Sequence, residues 1–223
     1  MPSKPVPLAV VALVSGSGSN LQALIDAQEQ GAPFQIRAVI SNEPGAFGLE
    51  RARRHGLPAE ILNHRDYPDR ASFDAALSAL IDGYDPGLVV LAGFMRILTP
   101  AFVEHYPGRM LNIHPSLLPK YQGLHTHQRA LDAGEVEHGA SVHFVTAELD
   151  GGPVILQARV PVLPGDDAGT LAARVLKQEH VIYPTVVRWF AEGRLRLSQD
   201  GRPVLDGGVL AEPRRIGLGQ GRA

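Results

Sequence analysis

The sequence contains no cysteine, which excludes disulfide bonds, thiolate nucleophiles and zinc or iron–sulfur centres bound by cysteine. It also lacks an excess of either charge, since 21 lysine and arginine residues face 23 aspartate and glutamate residues. A net charge of -2 offers no basic field for a nucleic acid. The apolar run at 7–14 is too short to span a bilayer and lacks a signal-peptide cleavage pattern. We therefore expect a cytoplasmic protein with neither a membrane partner nor a nucleic-acid partner.

Apolar sequence is plentiful, because 44% of the 223 residues are hydrophobic, and a chain of this length can bury a sizeable core. Continuous apolar runs such as 8–14 and 88–92 are typical of parallel strands covered on both faces. Further strands are predicted at 36–41, 59–62 and 110–114, and helices at 21–31, 46–55 and 70–83. This alternation predicts an α/β fold with a doubly wound, mostly parallel sheet.

The second half of the chain has a different pattern. The apolar runs 140–147 and 154–162 are separated by a turn sequence with two glycines and a proline, which predicts an antiparallel hairpin. A long helix is predicted over 168–192, with a kink at Pro184. The end of the chain is rich in glycine and arginine and poor in apolar residues, so we expect a flexible tail there.

The segment 15–20, SGSGSN, lies between the first strand and the first helix. A helix N-terminus leaves backbone N–H groups unpaired, so this position suits a phosphate. Leu21 stands where a dinucleotide fingerprint has its third glycine, and no Gly-Lys-Ser/Thr follows as in a P-loop. A phosphate monoester is therefore favoured over NAD or ATP. The alternative, held equally open, is a tight turn in which Ser19 or Asn20 caps the helix.

Asn112 and His114 are two residues apart in a predicted strand, so their side chains point to the same face at its carboxyl end. An amide beside an imidazole can hold a carbonyl oxygen and move a proton, as acyl transfer without a covalent intermediate requires. A lone histidine is more often a hydrogen-bonded core residue. Asp150, before two glycines, either meets His114 and favours its charged form or is simply a turn residue.

Other polar residues point less clearly to a function. His125 with His127, and His138 with His143, resemble metal ligands, but no H-E-x-x-H motif accompanies them, and we predict no metal site. Ser116 lacks the G-x-S-x-G context of a serine nucleophile. Arg70 and Arg96 are typical of surface arginines unless a carboxylate ligand lies nearby, and 94–98 fits either a core segment or a pocket wall.

Seven segments together resemble the glycinamide ribonucleotide (phosphoribosylglycinamide) formyltransferase family of purine synthesis. They are residues 15–27, 41–53, 89–98, 111–121, 123–131, 141–162 and 178–184, in family order. They extend over roughly residues 8–200, nearly the whole chain. The combination is specific, although no single segment would be.

The resemblance implies transfer of the formyl group of 10-formyltetrahydrofolate to the amino group of 5′-phosphoribosylglycinamide, without a metal. By motif match, the catalytic residues are Asn112, His114 and Asp150. The ribonucleotide is assigned to Gly18, Ser19, Asn20, Leu176, Lys177, Gln178 and Glu179. The folate is assigned to Arg70, Met95, Arg96, Ile97, Leu98, Asn112, Thr146, Ala147, Glu148, Leu149 and Asp150.

The resemblance also implies one Rossmann-like domain over 1–223. Within it we expect an extension at 1–7, a phosphate-binding half at 8–110, a folate and catalytic half at 111–205, and a flexible tail at 206–223. The chain departs from the family pattern at Gln122, where proline is common, and at Leu176, where a polar residue is usual. Both a monomer and a homodimer are compatible with the sequence.

Two related families share the chemistry. Methionyl-tRNA formyltransferases would add a basic C-terminal domain, and formyltetrahydrofolate deformylases an N-terminal regulatory domain, so we expect neither here. From another class, a phosphate- or folate-binding protein without catalysis is the alternative.

Overall fold

The structure, a computed structural model, describes residues 6–217. In chain order its elements are β1 (Leu8–Val14), α1 (Ser19–Glu29), β2 (Phe34–Ser41), α2 (Phe47–Arg54), β3 (Ala59–Ile61), α3 (Arg70–Asp82), β4 (Leu88–Leu91), α4 (Pro100–His105), β5 (Met110–His114), α5 (Thr126–Asp132), β6 (Glu137–Phe144), β7 (Val154–Pro161), α6 (Ala168–Ala191), β8 (Leu195–Leu197), β9 (Pro203–Leu205), β10 (Gly208–Val209) and β11 (Arg214–Ile216). A short 3₁₀ turn occupies His64–Asp66.

The central sheet has eight strands in the order β11-β7-β6-β5-β4-β1-β2-β3. Strands β3, β2, β1, β4 and β5 are parallel to one another, whereas β6 is antiparallel to both β5 and β7. The predicted α/β fold with a mostly parallel sheet and an antiparallel C-terminal extension is thus confirmed. The strand order reverses between β1 and β4, and such a switch point opens a crevice at the carboxyl ends of the strands.

Helices cover both faces of the sheet. Val10, Ala12 and Val14 of β1 pack into the core on the side of α1 and α6, while Val11 and Leu13 face the side of α3 and α4. All five side chains are fully buried, which is why β1 is a continuous apolar run without alternation. Among the helices of residues 6–217, none combines the length and apolar character needed to cross a bilayer.

Helix α6 extends from Ala168 through Pro184 to Ala191, as predicted, with Tyr183, Val186 and Val187 fully buried on either side of the proline. The chain beyond this helix differs from the sequence expectation. Within the expected tail, β10 pairs with β9, and β11 pairs in parallel with β7. Strand β11 has few buried side chains, because an edge strand is held mainly by its backbone hydrogen bonds. Residues 218–223 of the expected tail lie outside the described residues.

Tyr183 of α6 makes hydrogen bonds to both β4 and β5. Its hydroxyl donates to the carbonyl of Leu91 at 2.9 Å and to that of Leu111 at 3.0 Å. Burial raises the pKa of this phenol well above its usual value, so the hydroxyl keeps its proton. The carboxyl end of β4 and the middle of β5 are thereby joined beneath the crevice.

We expect Tyr183→Phe to lower the free energy of unfolding by about 1–3 kcal/mol, because the substitution removes a buried donor from two carbonyl oxygens. Urea denaturation followed by circular dichroism measures the change. Tyr67→Phe is the control, since the Tyr67 hydroxyl makes no hydrogen bond within residues 6–217, and it should change the stability by less than about 0.5 kcal/mol. Equal losses in the two variants would contradict the assigned role.

Candidate active site

The glycine-rich loop lies at the switch point, where β1 ends and α1 begins. Gly18 is the N-cap residue with a φ of 68°, and no side chain from residues 6–217 caps the helix. Neither Ser19 nor Asn20 therefore serves as the cap that the alternative interpretation required. A Cβ at Gly18 would lie 2.5 Å from the Cα of Gly48, so the close approach of α2 requires glycine. The uncapped first turn of α1 can receive an anion.

Glu179 of α6 lies directly behind this loop. Its carboxylate accepts a hydrogen bond from Asn20 Nδ2 at 2.6 Å, and both residues are buried. Burial raises the pKa of Glu179, while the bond from Asn20 acts in the opposite direction. Asn20 Oδ1 has no partner within the described residues, so the pair retains hydrogen-bonding capacity for a ligand.

Three predicted catalytic side chains converge at the carboxyl end of β5. Asp150 Oδ2 lies 3.4 Å from His114 Nδ1, and Asp150 Oδ1 lies 3.5 Å from Asn112 Nδ2. The side chains of His114 and Asp150 are each 8% exposed. The backbone N–H of Gly123 donates to Asp150 Oδ2 at 2.9 Å, and this bond fixes the carboxylate. The structure therefore brings all three groups into one cluster at the mouth of the crevice.

His114 has a hydrogen-bond acceptor beside each of its ring nitrogens. Its Nε2 lies 2.9 Å from the carbonyl oxygen of Tyr121, and its Nδ1 faces the Asp150 carboxylate at 3.4 Å. The ring is therefore held in one orientation between a backbone carbonyl and a carboxylate.

His143 is a member of this cluster that sequence reasoning weighed only as a metal ligand. It is the register partner of Asn112 across β5 and β6. Its Nδ1 lies 2.9 Å from the carbonyl of Phe144 and its Nε2 lies 3.1 Å from Asn112 Nδ2. Burial lowers the pKa of His143, so the ring is neutral and accepts from the amide. His143 thereby fixes which way the Asn112 amide points.

A cleft of about 80 Å³ opens beside the cluster. Its lining includes most residues predicted to hold the folate: Arg96, Ile97, Leu98, Asn112, Thr146, Ala147, Glu148, Leu149 and Asp150. Leu91, Phe94, Val103, His143 and Val145 complete the wall. The lining therefore combines apolar side chains with a few polar ones, as is typical of small-molecule sites.

Some predicted site residues are not brought into these arrangements. Arg70 is exposed at the first turn of α3 and Met95 is 69% exposed, and neither lines the cleft. Leu176 and Gln178 of α6 are half-buried and Lys177 is exposed. Their side chains make no hydrogen bond within residues 6–217.

A larger cavity of about 630 Å³ lies elsewhere, between α1 and α6. It begins at Ser19 and Arg51 and extends to Trp189 and Arg194. None of Asn112, His114 and Asp150 lines it. Because catalysis needs groups that can exchange protons with a ligand, the smaller cleft is the better candidate for the chemistry.

The remaining histidines do not form a metal site within the described residues. His125 is exposed at the start of α5 with a φ of 57°. The rings of His127 and His138 pack edge to face with their centres 5.2 Å apart. Burial lowers the pKa of both, that of His138 to about 4. Two neutral rings therefore pack behind the cluster.

The buried histidines make stability depend on pH. The pKa values of His127, His138 and His143 are lowered in the folded protein, so the unfolded chain binds more protons below about pH 6.5. The free energy of unfolding should be greatest above that pH and should fall as the pH drops toward the lowered values. Between pH 7 and pH 4.5, the decline in the free energy of unfolding should be smaller in His138→Gln than in the wild type by about 2 kcal/mol.

Urea titrations across this pH range measure the effect. His125→Gln is the matched control, because His125 is exposed and its ring makes no hydrogen bond or ion pair within residues 6–217, and it should leave the dependence of stability on pH unchanged. If the free energy of unfolding of His138→Gln depends on pH as steeply as that of the wild type, the role assigned to His138 is wrong.

Residues 8–187 match the family described as formyl transferase. Over 192 residues the chain is 59% identical to phosphoribosylglycinamide formyltransferase of Escherichia coli strain K12, covering 86% of this chain and 91% of that protein. Over 202 residues it is 47% identical to the protein of the same name from Haemophilus influenzae, covering 90% and 95% of the two chains.

The solved structure of phosphoribosylglycinamide formyltransferase from Coxiella burnetii is also similar. It superposes with a TM-score of 0.90 at 54% identity, over 94% of this chain and 99% of that one. These similarities extend over most of the chain and agree with one another in family and in fold. The chain therefore belongs to the formyl transferase family.

Proposed function

We propose that this protein transfers the formyl group of 10-formyltetrahydrofolate to the amino group of 5′-phosphoribosylglycinamide, a step of purine synthesis. The products are 5′-phosphoribosyl-N-formylglycinamide and tetrahydrofolate. The observation that carries the proposal is the convergence of Asn112, His114 and Asp150 beside a cleft. Membership of the formyl transferase family narrows the acyl group to formyl.

Asn112 and His114 are the groups that would stabilise negative charge on the formyl oxygen. The contacts of Asn112 Nδ2 and His114 Nδ1 with Asp150, 3.5 Å and 3.4 Å long, exceed the usual range of about 2.7–3.2 Å. Each N–H therefore keeps capacity for an oxygen that approaches from the cleft. Because His143 occupies one hydrogen of the Asn112 amide, the other is directed toward this position.

Asp150 would serve as the proton carrier. The amine of the ribonucleotide forms a bond to the formyl carbon, the bond from that carbon to N10 breaks, and the proton lost by the amine reaches N10. Asp150 accepts that proton and passes it to N10, or relays it through water, while its Oδ2 stays beside His114 Nδ1. The Gly123 N–H holds the carboxylate in place at 2.9 Å, so little reorganisation is needed.

The two substrates would approach from neighbouring loops. The phosphate would bind at the first turn of α1, around Gly18, Ser19 and Asn20, where backbone N–H groups and the helix dipole favour an anion. Glu179, buried behind Asn20, would contact the glycinamide ribonucleotide. The folate would occupy the cleft between 94–98 and 146–150. Placing the amine against the formyl carbon supplies much of the rate by proximity.

We expect His114→Ala, Asn112→Ala and Asp150→Asn each to slow single-turnover formyl transfer by about 10²-fold or more, because each loses a group that stabilises charge or moves a proton. Rapid quench with both substrates saturating measures the step. His105→Ala, on the exposed side of α4, is the control and should retain the wild-type rate. A near-wild-type rate in any of the three variants would remove that residue from the mechanism.

We expect Glu179→Ala to raise KM for phosphoribosylglycinamide by about 10-fold, since Asn20 loses its buried acceptor and the ribonucleotide loses a contact. The KM for the folate, measured at saturating ribonucleotide, should change by less than about twofold. Glu29→Ala, an exposed change on α1, should alter neither. A change confined to the folate KM would contradict the assignment.

The acceptor is tested by following folate absorbance with phosphoribosylglycinamide, methionyl-tRNA or water as the formyl acceptor. Rapid turnover only with phosphoribosylglycinamide supports the proposal. Preference for methionyl-tRNA or water would assign the chain to one of the two related activities. Binding of the folate with no turnover on any acceptor would indicate a binding protein instead.

A further inference from the structure

Ser15 belongs to none of the site residues assigned above, yet it lies between the two substrate loops. It is the first residue after β1, at the switch point of the sheet. Its hydroxyl donates to Asn42 Oδ1 at 2.5 Å and accepts from the backbone N–H of Met95 at 2.8 Å. Its own N–H donates to the carbonyl of Gly93 at 3.0 Å.

We propose that the Ser15 hydroxyl couples the two substrate sites, so that binding of the ribonucleotide phosphate raises the affinity for the folate and the reverse. The inference rests on the proposed function, because it takes 15–20 as the phosphate loop and 94–98 as one wall of the folate cleft. Ser15 is a positioning residue in this role and touches neither substrate.

The backbone of residues 94–98, the folate-side loop, depends on Ser15 for its hydrogen bonding. Residues 94–98 belong to no helix or strand. Among the hydrogen bonds of residues 6–217, the only one made by a backbone group of 94–98 is the bond from Met95 to the Ser15 hydroxyl. Phe94 and Leu98 are buried, and Arg96 stacks on Phe73 at 4.8 Å. These contacts anchor side chains, whereas the backbone position is set by Ser15.

The phosphate-side loop is connected to the same residue. Gly16 accepts from the Gly48 N–H at 3.0 Å, and the carbonyl of Ser17 accepts from Arg51 Nε at 2.8 Å. These two bonds attach the loop to α2 and leave the first turn of α1 available for the anion. An anion bound there would restrict 15–20 further, and Ser15 would transmit that restriction to Met95.

Asn42 determines the direction of the Ser15 hydroxyl. It is 3% exposed at the end of β2, and its Oδ1 receives the hydroxyl proton. With the proton committed to Asn42, a lone pair of the hydroxyl faces the Met95 N–H. The bridge from one loop to the other therefore has a defined polarity and is not a freely rotating contact.

The physical consequence is a positive coupling. A ligand that orders a shared element spares the second ligand part of the ordering cost, and the effect is the same in either direction. Couplings of this kind are commonly about fivefold or more in affinity. Removing the hydroxyl should uncouple the loops while leaving the groups that contact each substrate in place.

The experiment uses calorimetric titration with tetrahydrofolate, which has no formyl group to transfer, in the absence and in the presence of saturating phosphoribosylglycinamide. For the wild type we expect the ribonucleotide to strengthen tetrahydrofolate binding about fivefold. For Ser15→Ala the factor should fall below about twofold, and Ser15→Thr, which keeps a hydroxyl, should restore it. Ser78→Ala, whose hydroxyl bonds within the described part of the chain only to the Asp74 carbonyl of its own helix, should retain the wild-type factor.

A wild-type coupling factor in Ser15→Ala, or no coupling in the wild type, would overturn the inference. Weaker binding of both ligands with the factor unchanged would assign Ser15 a purely structural role and would also overturn it. If Ser15→Ala does not fold, Asn42→Ala is measured in its place. A wild-type coupling factor in Asn42→Ala would contradict the proposed bridge from Ser15 to Met95. Formyl transfer by the wild type is measured separately, so a wild type that transfers formyl but shows no coupling refutes this inference and leaves the proposed function standing.

Discussion

The carboxylate of Asp150 contacts residues from two parts of the chain. Gly123 donates to it from the loop after β5 at 2.9 Å, and His114 and Asn112 face it from β5 itself at 3.4 Å and 3.5 Å. Asp150 has a φ of 50°, and a Cβ on Gly152 would lie 1.8 Å from the Phe144 carbonyl oxygen. The turn between β6 and β7 therefore requires glycine at position 152 to place the Asp150 carboxylate in the site. The other groups of the cluster contact this carboxylate.

The sheet topology explains why the glycine-rich loop and the cleft lie close to the Asp150 cluster. Its switch point lies between β1 and β4, so the loops after these strands diverge and leave a crevice. Strand β5 pairs with β4, and its antiparallel partner β6 leads into the turn that contains Asp150. The uncapped first turn of α1, the cleft and the cluster of Asn112, His114 and Asp150 consequently lie near one edge of the sheet. Tyr183, beneath this edge, joins β4 and β5 from the opposite face.

Burial gives the polar groups of the site their separate roles. The ring of His143 is neutral because burial lowers its pKa, and a neutral ring can accept from Asn112. His114 lies between a carbonyl oxygen and a carboxylate, so both of its ring nitrogens face acceptors. Two histidines on neighbouring strands thus have different hydrogen-bonding roles, set by their partners and not by their residue type. Low-dielectric walls strengthen each of these interactions.

The alternation of strands and helices, the glycine-rich loop and the shared face of Asn112 and His114 follow from local periodicity, so the sequence alone determined them. The family resemblance added Asp150 and most of the cleft residues. The position of His143 opposite Asn112 depends on the register between β5 and β6, and the bond from Met95 to Ser15 joins residues 80 apart in the chain. The edge strand β11, with few buried side chains, carries no apolar pattern. Only the tertiary structure decided these features, because contacts between distant segments leave no periodic signal in either one.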